Sequence, residues 1–110
     1  MSNLPTLEEV KAAYKAKGLK PRAVVFSPAK NALKGDNKCC ALGALSIVNE
    51  FFYNQTARRL GIPFTFAYGF DIGMLNTPYS SNPENSEKEN EAMLRGYEIG
   101  QALRNWDPES

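Results

Sequence analysis

Two short stretches decide how this chain folds: Gly69-Phe-Asp-Ile-Gly73, inside AYGFDIGMLN (67–76), and Gly96-Tyr-Glu-Ile-Gly100, inside LRGYEIGQAL (94–103). Over a 27-residue shift glycine repeats glycine, an aromatic repeats an aromatic, an acid repeats an acid and isoleucine repeats isoleucine. Residues four apart on a helix share a face, so each glycine pair makes a flat notch one turn long. An interior glycine costs a helix about 1 kcal/mol against alanine, and four at matched positions require a compensating close helix–helix contact. Between them NTPYSSNPENS (76–86) is a polar, turn-rich loop, and Ser86-Glu-Lys-Glu89 is a capping box that opens the second helix. Ala92, Gly96, Ile99, Leu103 and Trp106 recur at three- and four-residue spacing and mark that helix's inward face. A helical hairpin over 65–106 follows.

Working outward from the hairpin, residues 39–48 of KCCALGALSIVNEFFYN carry one hydroxyl, Ser46, and otherwise small or apolar side chains up to Val48. This pattern predicts a buried central helix over 38–53, with Asp36 or Asn37 as its cap. QTARRLG (55–61) reads as a further helical piece ending at Gly61, with Pro63 opposing simple continuation. Thr6-Leu-Glu-Glu9 is a second capping box, Leu7, Val10 and Tyr14 form one stripe, and Gly18 is a C-terminal stop. AVVF (23–26) suits a short strand, for which PFTF (63–66) is the other β-like run. The expected class is mainly α: a small helical domain with a buried central helix, a C-terminal hairpin and at most one short β pair.

At 110 residues the chain fits one domain, 1–110, made of a basic first part over 1–60 and the hairpin over 65–106. Its 43% hydrophobic and 23% charged contents are those of a soluble globular protein, and no apolar run approaches a membrane span. The opening MSNLPTLEEV has neither a basic patch nor an apolar run, so a cytoplasmic location is expected. Net charge is +1 but uneven: residues 1–60 hold ten Lys/Arg against four acids, +6, and residues 61–110 hold three against eight, −5. The halves either complement each other within the fold or present a basic face to an acidic partner.

The pattern G-[FY]-x-x-G, a loop carrying Pro78-Tyr79, then G-[YW]-x-x-G resembles the helical hairpin of the ribosome modulation factor family and its small relatives, many of them phage- or mobile-element-borne. That family's chain is short and strongly basic whereas this hairpin is acidic, so the resemblance implies the fold and leaves ribosome binding as an alternative function. CALGAL (40–45) resembles a small bacterial and phage domain of unknown function.

Chemistry finds few footholds. Cys39 and Cys40 sit where a helix N-terminus would activate a thiol, but the chain has no histidine to serve as a base, and packing is the expected role of both. Two thiols without histidine fall short of a zinc site. Asp71 and Glu98 occupy equivalent repeat positions, where a close crossing would bring two carboxylates together for acid–base or hard-metal chemistry, the alternative being solvated acids or ion pairs to Arg95 and Arg104. Neither a catalytic centre, a metal nor a cofactor is expected. Arg58-Arg59 in TARRLGIP faintly suggests a helix-turn-helix, but the following PFTFAYGFDIGML has no basic or amide side chain, so sequence-specific DNA contact is not expected. Candidate partner contacts are Tyr79, an aromatic on a polar loop, the basic run Lys15, Lys17, Lys20 and Arg22, and Arg58 with Arg59. The expected function is that of a small non-enzymatic binding protein, phage- or mobile-element-encoded, monomeric or homodimeric. It would inhibit or modulate a host protein or ribonucleoprotein complex by protein–protein contact; the alternative is a ribosome- or RNA-associated modulating factor.

Overall fold

In the computed structural model, which describes residues 4–24, 38–47 and 49–108, the first helix, α1 (Leu7–Lys17), begins where its capping residues place it. Thr6 is extended, and its hydroxyl accepts the Glu9 N–H at 3.2 Å. Glu8 and Glu9 lie in the first turn and Lys15 and Lys17 in the last, matching the helix dipole at both ends. Gly18, at φ 66°, ends it: its N–H donates to Lys15 O and that of Leu19 to Tyr14 O, the paired bonds of a Schellman motif.

The chain then pairs as a two-residue parallel ladder, β1 (Lys20–Pro21) with β2 (Lys38–Cys39), in the register Lys20 to Lys38 and Pro21 to Cys39. The Cys39 carbonyl accepts both the Arg22 N–H, at 2.9 Å, and the buried Tyr14 hydroxyl, at 2.7 Å, tying the ladder to α1. The β pair is thus present but not where AVVF and PFTF placed it. Ala23 and Val24 form a bend, Val25 and Phe26 lie outside the described residues, and residues 63–66 lead into a helix.

The central helix is shorter than the apolar run suggests: α2 spans Ala41–Leu45 only, with Cys40 at its N-cap. Ala41, Leu42, Gly43 and Ala44 are all buried, so the element is central as expected, while 38–39 is strand and residues 46, 47 and 49–52 lie outside any helix. Asp36 and Asn37 lie outside the described residues. The early stop has a local cause, because side chains take over groups that a continuing helix would use. Ser46 Oγ donates to Gly43 O at 2.6 Å, Glu50 Oε1 accepts the Ile47 N–H at 2.9 Å, and Gln55 Oε1 accepts the N–H groups of Phe51 and Phe52. Asn49 is left-handed, at φ 81°.

The next helix, α3 (Tyr53–Leu60), ends as α1 does, with Gly61 at φ 71° and the N–H groups of Gly61 and Ile62 on Arg58 O and Ala57 O. After Pro63 come α4 (Thr65–Met74) and α5 (Glu87–Leu103), which make by far the largest helix–helix contact among the described residues. Ser86 and Glu89 form the reciprocal capping box, hydroxyl to Glu89 N–H at 3.2 Å and carboxylate to Ser86 N–H at 2.9 Å.

All four glycines lie in this contact. A Cβ on Gly69 would sit 1.9 Å from Met93 O, and one on Gly96 would sit 2.1 Å from Phe66 O. One on Gly73 would lie 2.4 Å from Tyr97 O, and one on Gly100 the same distance from Phe70 O. Each contact maps onto its counterpart under the 27-residue shift, so the sequence repeat is the imprint of a pseudo-symmetric crossing with backbone against backbone. Polar bonds close both ends: Thr65 Oγ1 donates to Glu89 O at 2.6 Å, while Gln101 Nε2 and Arg104 Nε donate to Gly73 O and Met74 O. Val10 and Tyr14 of α1, Leu42 of α2, Phe66 and Phe70 of α4, and Ile99 and Leu103 of α5 fill the core between these elements. No helix among the described residues is long and apolar enough to cross a membrane.

Candidate binding site

The residues singled out by sequence do not converge on one site. Cys39 and Cys40 are buried free thiols. Burial pushes Cys39 up to about 12 and Cys40 up to about 11, the opposite of the shift an activated nucleophile needs. Asp71 and Glu98 are not brought together. The interface glycines stand two residues before each, and two residues turn a side chain about 200° around a helix, so both carboxylates leave the crossing on its outer sides. Among the described residues no cluster of three or more His, Cys, Asp or Glu could hold a metal ion.

The basic candidates are spread and partly committed within the chain. Lys15 lies over the Trp106 ring, with its ammonium 6.0 Å from the centroid, and Lys11 joins it from 5.6 Å. Lys17 and Arg59 both turn to the chain just after α2. Lys17 donates to Ser46 O, and Arg59 donates to Leu45 O at 2.7 Å and pairs with Glu50 at the same distance. Two cations thereby satisfy carbonyls at the end of a five-residue helix that has no basic residue of its own there. Lys20 lies in β1 with Arg22 just beyond it, and Arg58 is exposed in the last turn of α3. Tyr79 folds back on the hairpin: its ring packs 5.2 Å from that of Tyr97, and its hydroxyl donates to Asn90 O at 3.4 Å.

What sequence reasoning missed is a pocket of about 250 Å³ lined by Val24, Cys40, Tyr53, Phe64, Ala67, Tyr68 and Asp71. Cys40 and Ala67 are buried, whereas Tyr53, Phe64 and Tyr68 are 45%, 55% and 56% exposed. The Tyr53 and Phe64 rings stand 6.4 Å apart with their planes inclined at 54°. The Asp71 carboxylate accepts the Val24 N–H at 2.9 Å, and burial raises its pKa above the ordinary carboxylate value, with that hydrogen bond opposing in part. Val24 itself is held at φ 73°, a conformation costly for a β-branched residue, at the pocket's edge.

Two sequence signals carried this site. Phe64, Tyr68 and Asp71 follow the i, i+4, i+7 spacing of one helical stripe, opposite the glycine face. The run Phe51-Phe52-Tyr53 lies beyond the real end of α2, and all three side chains are exposed. With the central helix carried through to residue 53, the same aromatics read as core.

No protein-family model, no curated protein and no solved structure matches the chain. The likeness to the ribosome modulation factor hairpin accordingly stays at the residues that carry it, and the functional reading rests on the pocket and its surroundings.

Proposed function

We propose that this chain is a small non-enzymatic protein that binds a macromolecular partner by protein–protein contact. The contact is made by the aromatic face around Tyr53, Phe64 and Tyr68, and the role is that of a phage- or mobile-element-encoded factor that inhibits or modulates a host assembly. One observation carries the reading: three large aromatic side chains remain about half exposed around a concave pocket with a buried floor. Exposed aromatics grouped at a concavity are the usual anchors of protein interfaces, since they bury large areas at little cost in side-chain entropy. The ribosome- or RNA-associated alternative requires the basic residues for phosphate, and Lys15, Lys17 and Arg59 are already drawn into contacts within the chain.

The test is affinity capture from the native lysate with the tagged wild type, a Phe64→Ala/Tyr68→Ala double variant and an Arg58→Ala control, each with and without nuclease. A stoichiometric, nuclease-resistant partner retained by the wild type and the control but lost by the double variant supports the aromatic face. Retention by the double variant overturns it, and nuclease-sensitive loss together with loss in the Arg58 variant favours the RNA-associated alternative.

A further inference from the structure

The geometry points to a cationic side-chain head, a lysine ammonium or arginine guanidinium of the protein partner, as the group the 250 Å³ pocket takes between Tyr53, Phe64, Tyr68 and the Asp71 carboxylate. This inference rests on the protein-binding reading above and names the group it recognises.

Three features select the occupant. The volume lies just below the range of about 300–1,000 Å³ of pockets that enclose drug-sized ligands, which suits the end of one side chain better than a nucleotide or an extended cofactor. Three aromatic rings line the walls, those of Tyr53 and Phe64 inclined at 54°, and the negative quadrupole of an aromatic face attracts a cation. Asp71 sets the sign of the charge. Its carboxylate is half-buried, its hydrogen-bond partner is the Val24 N–H, and it forms no ion pair among the described residues. An anion would be repelled, and a purely apolar side chain would remove the remaining water from a carboxylate without replacing its interactions, which is unfavourable. The two parts of the chain that meet at the pocket differ in net charge, −5 over 61–110, which supplies Phe64, Ala67, Tyr68 and Asp71, and +6 over 1–60, which supplies Val24, Cys40 and Tyr53, so the sign rests on Asp71 itself. A metal ion is not favoured, since Asp71 is the one carboxylate in the lining among the described residues.

Lysine and arginine differ in how they would sit. A guanidinium can stack flat on Tyr68 or Phe64 while an N–H reaches Asp71, whereas an ammonium presents a compact charge to the carboxylate and its stem to the rings. Both leave the Val24 N–H bond intact, because a carboxylate offers about four acceptor sites.

The test uses small probes on the whole chain. n-Butylguanidinium, n-butylammonium and the uncharged n-pentanol are titrated to about 100 mM, the weak-fragment range, while the ring resonances of Tyr53, Phe64 and Tyr68 are followed by NMR. The variants are Asp71→Asn, which keeps an acceptor for the Val24 N–H, and Tyr68→Ala, at an exposed position. Their circular dichroism spectra verify the fold. Saturable shifts for at least one cation, weakened about tenfold or more by Asp71→Asn and by Tyr68→Ala, with pentanol binding less well, are expected. Pentanol binding as well as the cations, no effect of Asp71→Asn, or no saturable shift with any probe overturns the assignment. If partner capture depends on Phe64 and Tyr68 but survives Asp71→Asn, the cation assignment fails while the aromatic face stands. Capture that survives all the substitutions removes the face as well.

Discussion

Asp71 and Glu50 show opposite effects of the fold on a carboxylate. Burial raises the Asp71 pKa, with the Val24 N–H only partly compensating. The folded state therefore binds the Asp71 proton more tightly than the unfolded chain does. The stability this supplies is fully present below the unfolded value, near 3.8, and is lost as pH rises through the folded value. Glu50 is held low, first by its bond to the Arg59 guanidinium and then by the Ile47 N–H and the Thr56 hydroxyl. Its contribution is present above the unfolded value and is lost as pH falls through the folded one. Asp71→Asn should therefore stabilise the protein at neutral pH and remove part of the loss on going up from about pH 4, while Glu50→Gln should blunt the loss on acidification. Urea unfolding between about pH 3 and 7 checks both signs. The Cys40 thiol, which lines the same pocket as Asp71 and is pushed up to about 11 by burial, stays protonated throughout that range. Residue-scale roles were the least legible in sequence. Tyr79 in a polar loop looks displayed, and only the approach of Tyr97 and Asn90 in three dimensions shows that it is folded back.

At the scale of elements, the readings that held were those with a complete local code. Thr6 with Glu9 and Ser86 with Glu89 open helices, Gly18 and Gly61 end them, and the glycine repeat marks the crossing. The central helix failed because hydrophobicity says that a segment is buried, not that it stays helical. Ser46, Glu50 and Gln55 offer the backbone local bonds that outcompete continuation, and Asn49 accepts a left-handed turn. The two-residue ladder carries too little sequence to be seen in advance. The crossing makes the sharpest element-scale prediction. Gly96→Ala gains about 1 kcal/mol of helix propensity, but its Cβ meets the backbone of α4 at 2.1 Å and forces the helices apart, for a net loss of about 1–3 kcal/mol. Gly69→Ala should behave alike, and the double variant should lose less than the sum, because one displacement of α4 from α5 relieves both clashes. Denaturant midpoints of the two single variants and the double variant test this, and additive losses would count against a shared crossing.

Across the whole molecule, the side chains that hold the fold and those proposed to bind lie on opposite sides of one helix. Gly69 and Gly73 of α4 face α5 and Phe66 and Phe70 fill the core, while Phe64, Tyr68 and Asp71 meet Tyr53 and Val24 at the pocket. The charge asymmetry was legible in sequence, but its use was not. Lys17, Arg95 and Arg104 reach backbone carbonyls of other elements, Ser46, Pro5 and Met74, so these cations serve as braces. That division predicts separable effects. Phe64→Ser with Tyr68→Ser removes two rings that are more than half exposed, so folding stability should change by no more than about 0.5 kcal/mol per site. Partner capture should nevertheless be abolished, because interface energy concentrates in such anchors. Gly96→Ala should do the reverse under conditions where it stays folded, weakening the domain while still capturing the partner. Denaturant unfolding and capture, measured on the same samples, decide the matter. If the Ser/Ser variant unfolds as readily as Gly96→Ala, the aromatics serve the fold and the pocket is incidental to it. If it is stable and no longer binds, those rings stay in contact with water because a partner covers them.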